Sequence, residues 1–407
     1  MNDPFLIYGR RLIGFCVLLL VLTVAFSYYI DPFSVYGRTY IKEGVKVNNP
    51  GFSAQVKMGK ALAIRRRKPE IILIGSSRTL FGFSSKIAEQ YFPQQNIYNS
   101  SFSGITFYEL LRYFQHTVAL APLKQAYIGL DFYQFHAGRP PEKTFREERL
   151  AVDINNQAAG SAIDDLLTTL LSVDAIFYSI KTATNLYSLN DDTFLPNGFI
   201  GKKKLTGQLK NFIENEDSYI NKVYTVPEYT FSSSINSLTS FDYFRQLVHL
   251  AHEHKIKLHF FISPAHARQW ELIEQLGLWD KWEYWKQEML NITVQESKHF
   301  KQEAYPIYDF SGYSSYSIEA VPRTPSKPMA WYADSSHFRQ ALGDIVFDII
   351  MNPTHEQSFG RILSPQNIDT HLESIRVDKQ LYQAGHRQDI KDIRKLIVKR
   401  NKIAHTK

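Results

Sequence analysis

The chain's most chemically suggestive stretch is "EIILIGSSRTLFGF" (Glu70–Phe83), an apolar run that stops at two serines and an arginine. Ile71–Ile74 has the continuous, β-branched character of a strand covered on both faces, as in a parallel sheet. In such sheets chemistry collects beyond the carboxyl ends of the strands, which is where Ser76, Ser77 and Arg78 fall. The same residues also read as a Gly-Ser turn without chemistry. A serine hydroxyl becomes a nucleophile at neutral pH only beside a base, and the base needs a group that orients it. Those types occur together in "WYADSSHFRQALGDIVFDII", where Asp334 and His337 stand three residues apart before an amphipathic helix. That spacing lets the carboxylate fold back onto Nδ1 and leaves Nε2 for a serine. It equally suits Asp334 as an N-cap, with His337 in the first turn. His266, in "SPAHAR", follows another strand and would either face the same cleft or cap a polar loop. Trp331 and Tyr332 would either stack on a sugar ring or lie in the core.

Metal and cofactor chemistry find little support in the sequence, and neither is expected. Cys16 is the only cysteine, which removes disulfide frameworks and cysteine-based metal sites. His249, His252 and His254 lie close in "HLAHEHK", but His252 and His254 cannot share a helical face. The segment also lacks the His-Glu-x-x-His spacing of zinc hydrolases. No glycine loop of the kind that cradles phosphate appears.

Elements able to position these residues alternate as strand and helix. Ile71–Ile74 is followed by a short strand at 96–98, a helix from about Thr106, and the strand in "LKQAYIGLDFYQF" ending at Asp131. From about 139 to 240 the pattern becomes helical and serine-rich, which reads as an insertion capping the carboxyl side of the sheet. Alternation returns with "SFDYFRQLVHLAHEHK", "IKLHFFIS", a tryptophan-rich helix and "YPIYDF". This order predicts an α/β fold with a parallel sheet.

Leu12–Ile30 holds 19 residues and no charge, enough to span a bilayer's hydrocarbon core. It runs into "DPFSVYG" without a cleavage site, so it reads as an uncleaved anchor with Tyr28 and Tyr29 at the interface. No second span is expected. Arg10 and Arg11 favour a cytoplasmic amino terminus, although Arg38, Lys42 and Lys46 lie close on the other side. Of a net charge of +7, the tail from Arg387 contributes +6, from eight Lys/Arg and two Asp/Glu. That tail reads either as a basic helix for a membrane surface or acidic partner, or as a docked terminal helix. No basic stripe crosses the body, which argues against nucleic acid. The divisions expected are an anchor (1–31), a juxtamembrane segment with a basic helix (32–68), the α/β body (69–355) and a basic tail (356–407).

Gly75-Ser76-Ser77 after the first strand, with Asp334-x-x-His337 before the last helix of the body, resembles the SGNH-type (GDSL-like) hydrolases and acyltransferases. The resemblance spans about 70–350 through four short blocks. It implies a three-layer, flavodoxin-like parallel sheet, with Ser77 as nucleophile, His337 as base and Asp334 as orienter. It further implies oxyanion donors at the Ser77 amide and at Gly104, in "NSSFSG". The family's Gly-x-Asn-Asp block departs here, reading Gly129-Leu130-Asp131-Phe132. An ionised Asp131 only accepts hydrogen bonds and would repel a developing oxyanion. Either Asn99 donates in its place, or Asp131 anchors Arg78 or a substrate hydroxyl, or the oxyanion hole is incomplete. Ser76 replaces the family's usual aspartate, as in membrane-anchored members that modify envelope polymers.

The function expected is therefore a membrane-anchored serine esterase or O-acyltransferase, its body on the extracytoplasmic side. The substrate would be a cell-surface polysaccharide or related acylated glycan, with a multi-pass membrane protein as a candidate acyl donor. The rival is a catalytically degenerate module that binds or escorts such a polysaccharide.

Overall fold

The computed structural model describes residues 4–42, 44–160, 162–184, 193–201, 208–225, 227–233, 237–324, 328–353 and 359–404. The chain divides into two compact units, Met1–Arg67 with Thr144–Lys202, and Lys68–Lys143 with Lys203–Lys407. The stretch read as a single insertion from 139 to 240 is thus shared. Residues 144–202 cluster with the amino-terminal residues, and 203–240 belong with the sheet.

In the first unit the helix Pro4–Ile30 carries a mean hydropathy of 2.3 and is long and apolar enough to cross a membrane. It stops where Asp31 turns left-handed (φ 54°) and its carboxylate accepts the amides of Tyr36 and Arg38 at 3.0 and 2.9 Å. Asn49 seals that end by donating to the Ile30 and Asp31 carbonyls. A hairpin of β1 (Thr39–Lys42) and β2 (Val45–Asn48) comes next, then the helix Val56–Arg67. Asp165–Ala183 is a second stretch apolar enough to reach a mean hydropathy of 1.2, which the sequence pattern did not lead us to expect. It is not one rod, because a turn at Leu171-Ser172 divides it between the helices Ala162–Leu170 and Val173–Ala183.

The second unit is mixed α/β around a mostly parallel six-stranded sheet. Its strands are β3 (Ile71–Ile74), β4 (Ile97–Asn99), β5 (Gln125–Leu130), β6 (Lys257–Ile262), β7 (Ile307–Asp309) and β8 (Arg361–Ile362). The spatial order is β4-β3-β5-β6-β7-β8, with only β8 antiparallel. β3 is wholly buried, with Ile71 in register with Ile97 on one side and Gln125 on the other. Its continuous apolar run is what a strand with two paired edges and two covered faces requires. The chain moves from β3 outward to β4 and then crosses to β5 on the opposite side, so its direction reverses between β3 and β5. A reversal of this kind is where open α/β sheets place a crevice, at the carboxyl ends of the two strands.

Crossover helices have explicit starts. Thr106 and Glu109 form a capping box for Phe107–Leu120, as Thr239 and Asp242 do for Ser240–Glu253. Trp282 and Trp285 of the long helix Trp279–Phe300 are fully buried. The basic tail is a docked helix over its first half. Within Arg387–Ala404, Ile390 and Ile393 are buried, and Asp389 accepts from the buried Arg268 at 2.8 Å.

Candidate active site

β3 ends at Ile74, and Gly75 carries the chain into the short helix Ser77–Gly82. Ser76 is the N-cap, its Oγ accepting from the Arg78 amide at 3.0 Å. This leaves Ser77 at the first helical position, where the backbone N–H has no intrahelical partner. Thr79, on the same helix, sits so close to Gly75 and Gly129 that a Cβ at either would collide with it. The two glycines let the helix settle directly on β3 and β5.

Asp334 and His337 lie on a nine-residue loop closed as a small antiparallel turn. Tyr332 bridges Phe338, the Ala333 amide donates to the His337 carbonyl at 2.9 Å, and the Arg339 amide donates to the Trp331 carbonyl at 2.7 Å. Asp334 is not the cap of the next helix, which begins at Gln340 with Arg339 as N-cap. Its carboxylate turns back on its own loop, accepting the amides of Ser336 and His337 at 2.8 and 2.9 Å. Its two oxygens meet His337 Nδ1 at 3.0 and 2.8 Å. Two acceptors at Nδ1 place the ring hydrogen there, and Nε2 is left to accept. Nε2 lies 2.8 Å from Ser77 Oγ, across 260 residues of sequence. The ring also meets Phe81 edge-on, with centroids 5.7 Å apart.

Burial alone would raise the Asp334 carboxyl pKa. The charge and hydrogen bond of His337, with the two loop amides, outweigh burial and hold it below its ordinary value. The Asp334 carboxylate is therefore ionised across the neutral range.

The two loops come together because the Ser77–Gly82 helix packs on Gln340–Met351 through glycine. A Cβ on Gly343 would overlap the Gly82 carbonyl oxygen, and one on Gly82 would overlap the Phe338 ring. Glycine at both positions brings the helix that starts at Ser77 to the helix that follows His337.

Asp131, at the end of β5, is fully buried and doubly paired. One oxygen accepts from Ser76 Oγ and the other from Arg78 Nη1 at 2.9 Å. Arg78 is itself buried, donates to Tyr219 Oη at 3.3 Å and lies over the rings of Tyr133 and Tyr219. Burial would lower the guanidinium pKa, but the Asp131 charge outweighs it and holds Arg78 fully protonated. Of the three roles open to Asp131, anchoring Arg78 is the one its contacts display. Ser76 is the residue that motif spacing undervalues: it caps the helix and ties it to Asp131 at once. The signal for it was the polar residue before an S-R-T-L helix start.

Asn99 and Gly104 enter through the loop after β4, which is stitched to the loop after β3. The Ser100 amide donates to the Leu73 carbonyl at 2.7 Å, and the Phe102 amide to the Gly75 carbonyl at 3.0 Å. Buried Asn99 accepts the Ser101 amide through Oδ1 at 3.0 Å, which turns its amide NH2 the other way. Gly104 is left-handed (φ 69°), and a Cβ there would press on Glu142 Oε1 at 2.8 Å.

His266 belongs to the scaffold. It is buried and caps the helix Ala267–Gln275, with Nδ1 accepting the Arg268 amide at 3.2 Å and Nε2 donating to the Glu319 carbonyl at 2.7 Å. Burial pushes its pKa down to about 4, so the ring is neutral. Its substrate-facing role read from sequence does not carry over, because both nitrogens are spent in the fold. It still touches the site indirectly, as its amide donates to the Ser335 carbonyl at 3.1 Å in the Asp334–His337 loop. Tyr332 is core, fully buried against Ala265 and His266. Trp331 is half-buried beside Tyr316. His249 pairs with Glu296, and His252 meets Gln302. Among the described residues, no three His, Cys, Asp or Glu converge in a way that could hold a metal ion.

No family model matches this chain, and no curated protein matches it. Function has to be read from the geometry.

Proposed function

We propose that this protein is an SGNH-type serine esterase or O-acyltransferase, anchored by Pro4–Ile30 with its body on the extracytoplasmic side. The observation that carries the reading is the relay from Asp334 through His337 to Ser77, with 2.8 Å at each link. His337 Nε2 takes the Ser77 proton as Oγ attacks an acyl carbonyl. The imidazolium then gives that proton to the departing alkoxide, and Asp334 keeps the ring oriented and offsets its charge. The acyl-serine is resolved by water or by a glycan hydroxyl, deprotonated in turn by His337. The Ser77 and Gly104 amides, with the Asn99 side chain, are the proposed donors to the tetrahedral oxyanion, each worth about 10²–10³ in rate.

The strand order and its reversal between β3 and β5 support a flavodoxin-like, three-layer arrangement for the body. The engagement of Asp131 by Ser76 and Arg78 supports the enzyme over the binding-module reading, since its charge is already neutralised. A tethered site favours a membrane-proximal acceptor such as an acylated cell-surface glycan. A multi-pass protein presenting the acyl group is the partner such a transfer calls for.

The test is fluorophosphonate labelling of the full-length protein in lipid nanodiscs. Wild type should become labelled, and Ser77→Ala and His337→Ala should not, with circular dichroism unchanged in all three. Labelling of folded wild type no faster than that of Ser77→Ala would reject an activated serine and leave the binding module.

A further inference from the structure

The helices Ala162–Leu170 and Val173–Ala183 distribute their side chains the opposite way to a soluble helix pair. Along Val173–Ala183 the residues turned inward are small, Ala175 and Ser179, both fully buried. Those turned outward are bulky and apolar: Val173 is 83% exposed, Phe177 58% and Ile180 50%, with Ile176 beside them. Spacings of three and four residues put all four on one stripe. Leu166 and Leu167 extend the apolar surface onto the preceding helix, exposed at 52% and 47%. An amphipathic helix in water places its large apolar residues in the core, whereas small-residue faces packed inward are the pattern of helices surrounded by lipid.

What this surface adjoins decides its occupant. Both helices pack on Pro4–Ile30, within the same unit. Ala175 joins the cluster of Phe33, Met58 and Leu62 just past the anchor's end, and Phe33 meets Tyr178 with centroids 6.0 Å apart. Around that end stand interface groups: Tyr28 and Tyr29, with the Arg38 guanidinium 4.8 Å from the Tyr28 ring centroid. The helix that carries the apolar stripe thus packs where the anchor ends. Neither helix can cross a bilayer. Eleven residues at 1.5 Å rise reach roughly 16 Å, about half of a ~30 Å core.

We propose that the helix pair 162–183 is a monotopic membrane element, its stripe of Leu166, Val173, Phe177 and Ile180 immersed in the leaflet at the carboxyl end of the anchor. The element holds this unit against the lipid surface in addition to the tether, since an immersed stripe restrains tilt and depth where a lone helix leaves the unit free to swing. The proposal rests on Pro4–Ile30 being a membrane span.

Spin-label accessibility tests it on the full chain in lipid nanodiscs. Cys16→Ser removes the only native thiol, and single cysteines are placed at Val173, Phe177, Asp174 and, within the anchor, Leu19. Each of these positions is exposed. Collision with oxygen reports lipid, and collision with a nickel chelate reports water. The expected oxygen-to-nickel ratio at Val173 and Phe177 falls within about threefold of that at Leu19, and that at Asp174 is about tenfold lower. Nickel-dominated collisions at Val173 and Phe177, with Leu19 still oxygen-dominated, would overturn the proposal and leave the anchor standing. Weak collision with both reagents at Phe177 would also overturn it, in favour of a protein partner or a second copy. Nickel-dominated collision at Leu19 as well would remove the anchor, and the proposal with it.

Discussion

Asp131 and Arg78 form an ion pair with side chains 0% and 3% exposed, so each depends on the other for its charge to be tolerable. Removing one partner from such a pair costs about 3–5 kcal/mol, because the remaining charge is stranded. Asp131→Ala should therefore destabilise the body by that amount in chemical denaturation. Adding Arg78→Met should recover most of the loss, since no charge then remains to be buried. If the double variant were as unstable as Asp131→Ala, the pair would not be the source of the cost. Asp334 makes a different prediction. Its folded pKa is depressed, so its contribution to stability is present above the unfolded carboxyl value near 3.9 and is lost as pH falls through the folded value. The stability gap between wild type and Asp334→Asn should be fully open above the unfolded carboxyl value and close as pH falls through the lower folded value. In the same variant, serine labelling at pH about 7 should fall roughly 10³–10⁴-fold, because an amide no longer secures the tautomer.

At the scale of elements, the distance from His337 to Ser77 is set by two helices meeting at glycine. Gly343→Ala forces a methyl into the Gly82 carbonyl and must separate the Ser77–Gly82 and Gln340–Met351 helices. The expected outcome is a loss of about 1–3 kcal/mol with labelling slowed more than tenfold, because overpacking is relieved by moving backbone. Denaturation and labelling rate measured together check it: lost stability with full labelling would mean that the helices yield away from the site. This element pair also marks the boundary of what the sequence made legible. Ser77, His337 and Asp334 could be read because each lies in a local pattern: an apolar run that stops, and a three-residue spacing before a helix. The glycine contact could not, since nothing local couples Gly82 to Gly343. Asp334 also looked as suited to capping a helix as to orienting a base. What separates the two is where the helix begins, at Gln340 beyond the Tyr332–Phe338 bridge, which leaves the Asp334 carboxylate to His337. His266 went the same way in reverse: its cap contact with the Arg268 amide is local, but its other partner, the Glu319 carbonyl, lies 53 residues away.

For the molecule as a whole, strand–helix alternation predicted a parallel sheet, and the sheet is mostly parallel. The apolar run at the amino terminus predicted a helix long enough to span, and Pro4–Ile30 is one. The division of the chain was harder to read. Residues 144–202 come after the sheet's β5 in sequence yet cluster with 1–67, and clustering across the intervening residues 68–143 leaves no compositional edge. The excursion has a kinetic side as well. β5 closes at Leu130 and its neighbour β6 begins only at Lys257, so 126 residues separate two strands that pair along their full length. At about 5–20 residues per second, a ribosome takes roughly 6–25 s to deliver the second strand. Throughout that interval β5, destined for the middle of the sheet, presents unpaired backbone N–H and C=O groups along one edge. The nascent chain thus has a defined window in which β5 lacks the partner that later pairs with it along its full length.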